Sequence, residues 1–365
     1  MTKYRMHENE LPQCQEIASL DDQDQAELIA DAYEKVANYY EPLRDGDVHL
    51  PEIPEGSHPR ITVKMVYKYL CKMKSNTATV HNDIPAKIIK KYAKYLCYPL
   101  CHIINTQLKR GEFPDIWKIE QVTPVPKVYP TLNLGQLRKI SIFKQFGKIS
   151  EKIISEMVIE DIKTNLENCQ YGNQKGVSIN HYLVNLIDKI LKTLDKNNLE
   201  ESYALVLNLY DWKKAFDMQC PKLGLQSFIS NGVRPALLPV LKSFLQNRKM
   251  RVKWHNKFST ERNLNGGGPQ GGTLGIWEYL SQTNKNLQFV EEGKKYKFVD
   301  DASALEVINL LSIGIASYNF KQHVHSKIPV HNQFIPQENL QSQQYLEKLN
   351  TWSRNQKMQL NLAKP

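Results

Sequence analysis

The sequence predicts an α+β fold. Three observations carry that expectation: apolar residues at helical spacing between 62 and 101, a Val-, Ile- and Pro-rich stretch from 113 to 145 that reads as a β-hairpin, and β-type runs that end in acids at Asp211 and at Asp300-Asp301. A chain of 365 residues with 41% hydrophobic and 24% charged residues has material for two domains, or one large domain with lobes. No run approaches the ~18 apolar residues of a membrane span, and the polar opening MTKYRMHENELPQ lacks the apolar core of a secretory signal. The six cysteines are scattered with no CxxC pair, so neither a zinc ribbon nor a disulfide framework is indicated, and a reducing intracellular compartment, nuclear or cytoplasmic, is expected.

The formal charge of +10 conceals an asymmetry. Residues 1–60 hold 5 Lys and Arg against 14 Asp and Glu, whereas residues 61–365 hold 43 against 24, a balance of +19. A basic body of that size favours a polyanionic partner, most simply nucleic acid, with salt-sensitive binding.

Taken in order, residues 25–43 look helical, and DGDVHLPEIPEGSHPR (45–60), with three prolines and two glycines, reads as a linker. Val63, Val66, Leu70 and Met73 follow helical periodicity behind Thr62 as N-cap. A second helix is predicted from Asp83-Ile84-Pro85 through Ile88, Ile89, Tyr92 and Leu96 to a break at Pro99. Cys97 and Cys101 share a helical face and read as core residues. The hairpin texture of FPDIWKIEQVTPVPK and QLRKISIF places Lys118, Lys127, Arg138 and Lys139 near one site. Taken alone, that hairpin is better explained as a solvated surface hairpin with ordinary charges. Helices are predicted over 148–163 and 180–195, with the loop QYGNQKG between them.

Tyr203 to Tyr210 is a β run ending abruptly in Asp211-Trp212-Lys213-Lys214-Ala215-Phe216-Asp217. A carboxylate at the end of a buried strand needs a partner, a cation or water, because burying it bare is costly. Asp300-Asp301 stands at the tip of a second predicted hairpin, where acids are common for structural reasons alone. Brought together, Asp211 and Asp300, with Asp301, would repel by roughly 4 kcal/mol per pair at ~4 Å and an effective dielectric of about 20. Such a cluster retains protons or binds divalent cations, and hard carboxylate oxygens suit Mg²⁺. Two such ions assist in-line phosphoryl displacement. In a basic chain, that chemistry points to nucleotidyl transfer. The third element, Asn265-Gly266-Gly267-Gly268-Pro269-Gln270-Gly271-Gly272-Thr273-Leu274, offers a backbone that a nucleotide can approach and is neither a Walker loop nor a dinucleotide fingerprint.

In order and spacing, Asp211 to Asp217, Gly268-Pro269-Gln270-Gly271 and Phe298-Val299-Asp300-Asp301 resemble motifs A, B and C of reverse transcriptases, of the kind found in non-LTR (LINE-type) retrotransposons. Phe113 to Lys118 with Pro126-Lys127, and Leu137 to Ser141 with Lys148, Glu151 and Lys152, resemble the family's fingers segments. Gln170-Tyr171-Gly172 with Lys175-Gly176 resembles its next block, and Trp352, Asn355, Met358, Asn361 and Lys364 resemble motif D. The resemblance implies a right-hand polymerase: an acidic leader and linker at 1–60, helical and β-hairpin fingers at 61–200, and at 201–365 an RRM-like antiparallel palm sheet with interspersed fingers helices. It further implies that Asp211 and Asp300, assisted by Asp301, hold two Mg²⁺ ions. Phe216 stands at the steric gate against a ribonucleotide 2′-OH; Gln270, with Gly271, meets the incoming dNTP and the template. Lys127 and Arg138 face the triphosphate, and Lys364 is the candidate general acid. An RNA template and a DNA primer are the implied partners, with no membrane.

Lys139 stands where the family usually has Pro, Asn173 where an aromatic is usual, and Gly275-Ile276-Trp277-Glu278 replaces the common Ser-Pro form of the helix after motif B. Since the chain stops just after motif D, truncation before the thumb is expected, with no endonuclease or RNase H segment. The competing expectation is a catalytically inactive relic that still binds nucleic acid; an RNA-dependent RNA polymerase is disfavoured by Phe216. His323 and His325 read as surface-loop residues, Gln337–Asn350 as a polar amphipathic helix, and Trp254 and His255 as strand residues.

Overall fold

The computed structural model describes residues 13–196, 203–309 and 341–360. They form two compact units, the first made of residues 1–165 and 216–282, the second of 166–215 and 283–365. These boundaries cut across the divisions at 60 and 200 read from the sequence, because the stretch from Phe216 to Gln282 returns to the first unit.

The first unit is built on a mixed sheet of β1 (Ile119–Pro126), β2 (Leu137–Ile142), β4 (Arg248–Trp254), β5 (Lys257–Phe258) and β6 (Arg262–Leu264), in the order β2-β1-β4-β5 with β6 also on β4. β1 and β2 form the predicted antiparallel hairpin, with Val125 opposite Arg138, while β1 runs parallel to β4. Against this sheet lies α1 (Asp22–Ala37), capped by Asp21, whose carboxylate accepts from Gln23 N and Asp24 N. Ala26, Ile29 and Ala30 of α1 share one buried cluster with Val122, Met250, Val252 and Trp254. The acidic segment expected to stand apart as a leader is therefore built into the core. Its charge is met there by Arg262, which pairs with Glu27 at 2.9 Å, Asp31 at 2.8 Å and Glu34 at 3.3 Å.

On the same unit, α2 (Val63–Lys72) starts at Thr62, whose hydroxyl accepts from Met65 N as an N-cap should. A short α3 (Ala86–Lys91) leads to α4 (Ala93–Arg110), which ends at Gly111 in the left-handed conformation that favours glycine there. α4 runs straight through Pro99, where the sequence suggested a break. The helix is interrupted instead at Tyr92, and six helical residues precede Pro99, so its missing N–H costs one hydrogen bond on an exposed face while Cys97, Leu100, Cys101 and Ile104 hold the buried side. α5 (Asp115–Lys118), α6 (Gln145–Ile162), α8 (Pro221–Ser230), α9 (Leu238–Leu245) and α10 (Leu274–Gln282) complete the unit. Trp254 is fully buried and donates its indole N–H to Gln25 Oε1 at 2.8 Å.

The second unit centres on an antiparallel sheet of β3 (Tyr203–Tyr210), β8 (Asp301–Asn309) and β7 (Lys295–Phe298), in the order β3-β8-β7. α7 (Ile179–Leu194) covers it through Leu186, Tyr182 and Ile190, packed on Tyr296 and Leu305. α11 (Gln341–Asn355) follows, the polar amphipathic helix expected over 337–350 running five residues further, with Tyr345 and Leu349 buried. No helix among the described residues is long and apolar enough to cross a membrane. His323, His325 and Lys364 lie outside the described residues.

Candidate active site

In the second unit, β3 and β8 pair over their whole length, and the last pair is Tyr210 with Ala302. Asp211 follows Tyr210 and Asp301 precedes Ala302, so the ladder brings the end of β3 and the turn between β7 and β8 to the same edge of one sheet. The hairpin closes with Phe298 opposite Asp301, which leaves Val299 and Asp300 as a two-residue turn. Val299 holds φ +60°, a conformation that β-branched residues avoid. Two-residue hairpin turns demand a positive φ there, usually met by Gly or Asn.

The brace for that turn is the QYG segment. Gln170 Oε1 accepts from Val299 N at 3.0 Å and from Gly172 N at 2.8 Å. Cys169 O accepts from Lys297 N, and Tyr171 N donates to Lys297 O, both at 2.8 Å, so residues 169–171 add to the free edge of β7. A Cβ on Gly172 would stand 2.5 Å from Val299 N. Only glycine lets the two backbones approach this closely. Beneath the turn, Lys297 is 2% exposed, paired with Glu167, and donates to Asn284 O and Thr283 O. Glu167 also binds Lys295 at 2.7 Å. Burial pushes the Glu167 carboxyl up, but Lys297 and Lys295 overcome it and hold it below the usual carboxylate range. On the other side of the acids, Trp212 is buried against Trp352, with ring centroids 5.6 Å apart, and bridges to Leu360, while Lys213 N donates to Gln359 O at 2.8 Å. The segment resembling motif D thus lies along the one resembling motif A.

Among the described residues, no group of three or more His, Cys, Asp or Glu side chains is gathered as a metal site. The donor set at this sheet edge is a few carboxylates, of which Asp211 and Asp300 are half-exposed and Asp301 exposed. Mg²⁺ is usually held by one or two carboxylates together with substrate phosphates and water, so the residues present fit it.

In the first unit, the glycine-rich segment is a packed turn. Gly268 N donates to Phe216 O at 2.7 Å, Gly267 N to Gln219 O at 2.8 Å, and Gln270 Nε2 to Asp217 Oδ1 at 2.7 Å. Ser141 N of β2 donates to Gln270 O at 3.0 Å. Gly271 holds φ +130°, and a Cβ there would meet Ser141 O at 2.7 Å. The sequence reading gave these glycines to an approaching nucleotide; here Gly271 is required by the protein's own backbone. The ring of Phe216 lies 5.0 Å from that of Tyr279, tilted by 30°. Lys127 and Arg138 are exposed at one end of the β1–β2 hairpin, Lys127 Nζ donating to Gly135 O at 3.2 Å. The other two cations expected with them are elsewhere. Lys118 precedes β1 at its opposite end and pairs with Asp115 at 2.9 Å; Lys139 lies on the buried face of β2 and pairs with Glu120 at 2.5 Å. Neighbouring strand residues point to opposite faces, so Arg138 and Lys139 cannot share one site.

Sequence reasoning missed the buried charge behind this turn. Arg248 is sandwiched by the rings of Phe244 at 4.7 Å and Phe143 at 5.8 Å and stands 3.6 Å from Glu120. Glu151 accepts from Leu274 N at 2.8 Å, tying α6 to the start of α10; burial pushes its carboxyl up, and that backbone bond and Arg248 pull it back. Glu278 is pushed up to about 8 by burial, with Arg248 opposing. The signal was present in the alternation Arg248, Met250, Val252, Trp254, which puts a cation on the apolar face of a strand.

No protein-family model matches the chain. By sequence it is related to RNA-directed DNA polymerases, a class of nucleotidyltransferase. The relatives are those of transposable elements: the chain is 25% identical over 213 residues to "Probable RNA-directed DNA polymerase from transposon X-element" of Drosophila melanogaster, covering 58% of this chain and 23% of that protein. Against "Probable RNA-directed DNA polymerase from transposon BS" it is 29% identical over 180 residues, 48% and 19% of the two chains, and against "RNA-directed DNA polymerase from mobile element jockey" 24% identical over 218 residues, 59% and 23%. All three come from the same fly, and the resemblance to a LINE-type reverse transcriptase domain read from the motifs agrees with them. The matched region spans at most about a quarter of each relative's length.

Proposed function

We propose that this chain copies RNA into DNA, joining a dNTP to a primer 3′-OH on an RNA template. The observation that supports it most is the shared sheet edge at which β3 ends in Asp211 and the braced β7–β8 turn carries Asp300. In this reading the β3-β8-β7 sheet is a polymerase palm and the β1–β2 hairpin belongs to the fingers. Asp211 and Asp300, with Asp301, would hold two Mg²⁺ ions; when bound, these supply activation of the attacking hydroxyl and charge stabilisation on the leaving oxygen. The protein's own part is to orient: a bond forms between the 3′-oxygen and the α-phosphorus as the bond to pyrophosphate breaks.

By its place in the motif A resemblance, Phe216, its ring steadied by Tyr279, would meet the sugar of the nucleotide and exclude a 2′-OH. Gln270 is held by Asp217 through its Nε2 and by Ser141 through its backbone carbonyl, which fixes the turn that meets the base pair. Lys127 and Arg138 attract the triphosphate, and Lys364, by its place in the motif D resemblance, donates a proton to the departing pyrophosphate.

Primer extension on an RNA template with dNTPs and Mg²⁺ tests the proposal. Incorporation that disappears in Asp300→Asn is expected; incorporation that survives it refutes the site. Salt-sensitive RNA binding without any incorporation by the parent chain would replace the proposal with the relic reading.

A further inference from the structure

Helices α2, α3 and α4 carry a surface that the polymerase reading leaves without a role. Residues 61–110 contain ten Lys and Arg against one acid, Asp83, and the Asp83 carboxylate is already engaged by Gln145 N at 2.8 Å. No ion pair joins any of these ten cations to an acid among the described residues. Half of the +19 excess of the chain body is concentrated here. Aromatic rings lie among the charges: on α4, Tyr95 is 71% and Tyr98 64% exposed, one turn apart on the outward side, followed on the same side by His102 and Lys109. Tyr92 and Tyr67 are also exposed, Tyr67 standing beside Cys71 and the Cys97 of α4, and Lys91 Nζ sits 5.8 Å above the Tyr92 ring. Single exposed apolar residues need no explanation, but a group of tyrosines on one uncompensated basic face marks an interaction surface.

From this we infer that the α2–α4 face binds single-stranded RNA. The charge calls for a polyanion. Nine of the ten cations are lysines, which meet a phosphate backbone as point charges. Rings with free faces, aligned along a helix whose 18 residues extend ~27 Å, provide stacking platforms that a duplex, with its bases already stacked, cannot use. At its C-terminal end the face meets a cleft of about 590 Å³ in which Arg110 and Lys118 are balanced by Glu112 and Asp115, so the uncompensated basic surface ends there. The choice of RNA over DNA rests on the proposed RNA template.

The test is fluorescence anisotropy with a labelled single-stranded RNA, a duplex RNA and a single-stranded DNA of equal length, alongside co-sedimentation with phosphatidylserine-containing vesicles. Tyr95→Ala with Tyr98→Ala should weaken single-stranded RNA binding about tenfold or more and leave duplex binding within about twofold, since stacking is worth ~1–3 kcal/mol per base. Tyr95→Phe with Tyr98→Phe keeps the rings and should bind as the parent does. Lys91→Gln with Lys94→Gln should lower the slope of log affinity against log salt by about 1.4. Because these side chains are exposed, the variants should melt with the parent. Unchanged RNA affinity in the Ala pair overturns the inference, as does an equal loss on duplex, a preference for DNA, or a Tyr-dependent binding found only on vesicles. Asp300→Asn separates the two proposals: Tyr-dependent RNA binding together with incorporation that survives Asp300→Asn would sink the polymerase site and leave this surface standing.

Discussion

Glu278→Gln is the perturbation whose outcome the structure specifies most closely. Glu278 is fully buried on α10, its side chain so close to α8 that a Cβ on Gly224 would stand 2.3 Å from Glu278 Oε1, and neither carboxyl oxygen has a hydrogen-bond partner among the described residues. Burial pushes the carboxyl up to about 8 from 4.5, so the folded protein carries a proton there that the unfolded chain has lost over most of that interval. A group raised in the folded state contributes its stabilisation fully below the unfolded value and loses it as the pH climbs through the folded one. The slope is about 1.4 kcal/mol per pH unit, so between pH 6 and pH 8 the parent should lose about 2 kcal/mol through this carboxyl alone. That is a sizeable fraction of the ~5–15 kcal/mol that holds a typical domain folded.

Glutamine has the same shape and does not titrate, so Glu278→Gln removes the term and little else. Urea unfolding of parent and variant at pH 6, 7 and 8, read as the difference between the two at each pH, isolates it from every other titrating group. The variant should gain about 2 kcal/mol on the parent across that range. Parallel curves would mean that Glu278 is ionised and solvated throughout, and the reasoning from burial would fail.

Other expectations follow from single contacts. Glu167→Ala leaves Lys297 buried without its counter-charge and should cost about 3–5 kcal/mol by the same unfolding assay, with a loss under about 1 kcal/mol counting against the buried pair. Gln170→Ala leaves the Val299 and Gly172 amides without their acceptor, at about 1–3 kcal/mol each, and should lower kcat for nucleotide incorporation more than it alters KM; an unchanged kcat would show that the turn does not need its brace. Gly271→Ala forces a side chain onto φ +130° and against Ser141 O, and should reduce stability and raise KM for dNTP together, measured by melting and steady-state extension. Phe216→Ala should admit ribonucleotides; an undiminished preference for dNTP would remove its role as gate.

The elements legible in the sequence are those that one local rule decides. Thr62 caps α2 because its hydroxyl precedes an amphipathic run, and the hairpins of β1–β2 and β7–β8 follow from alternation around a turn. Asp211 was singled out because a carboxylate at the end of a buried strand lacks a packing explanation, and Asp300 only because its hairpin could lie beside that strand end, which the β3–β8 ladder bears out. What stayed hidden depends on partners distant in sequence. Nothing local says that Asp22–Ala37 is core rather than leader, since its acids are answered by Arg262, more than two hundred residues away. Pro99 looked like a helix end because propensity ignores the buried face that Leu100, Cys101 and Ile104 give α4. Lys118 and Lys139 counted as surface cations until Asp115 and Glu120 were found beside them.

Sorting those charges sharpens what a net charge means for this chain. Lys139 and Arg248 are paired with Glu120, Lys295 and Lys297 with Glu167, and Arg262 with α1; cations enclosed by acids contribute little field beyond a Debye length. The cations of α2–α4, joined to no acid among the described residues, are by contrast part of the charge that reaches solvent. A salt titration of RNA binding should therefore respond to Lys91→Gln and not to Lys295→Met, which removes the same single formal charge from a cation enclosed by Glu167 and Glu292. If both changes altered the salt slope equally, net charge alone would govern binding, and the distinction drawn from the ion pairs would be lost.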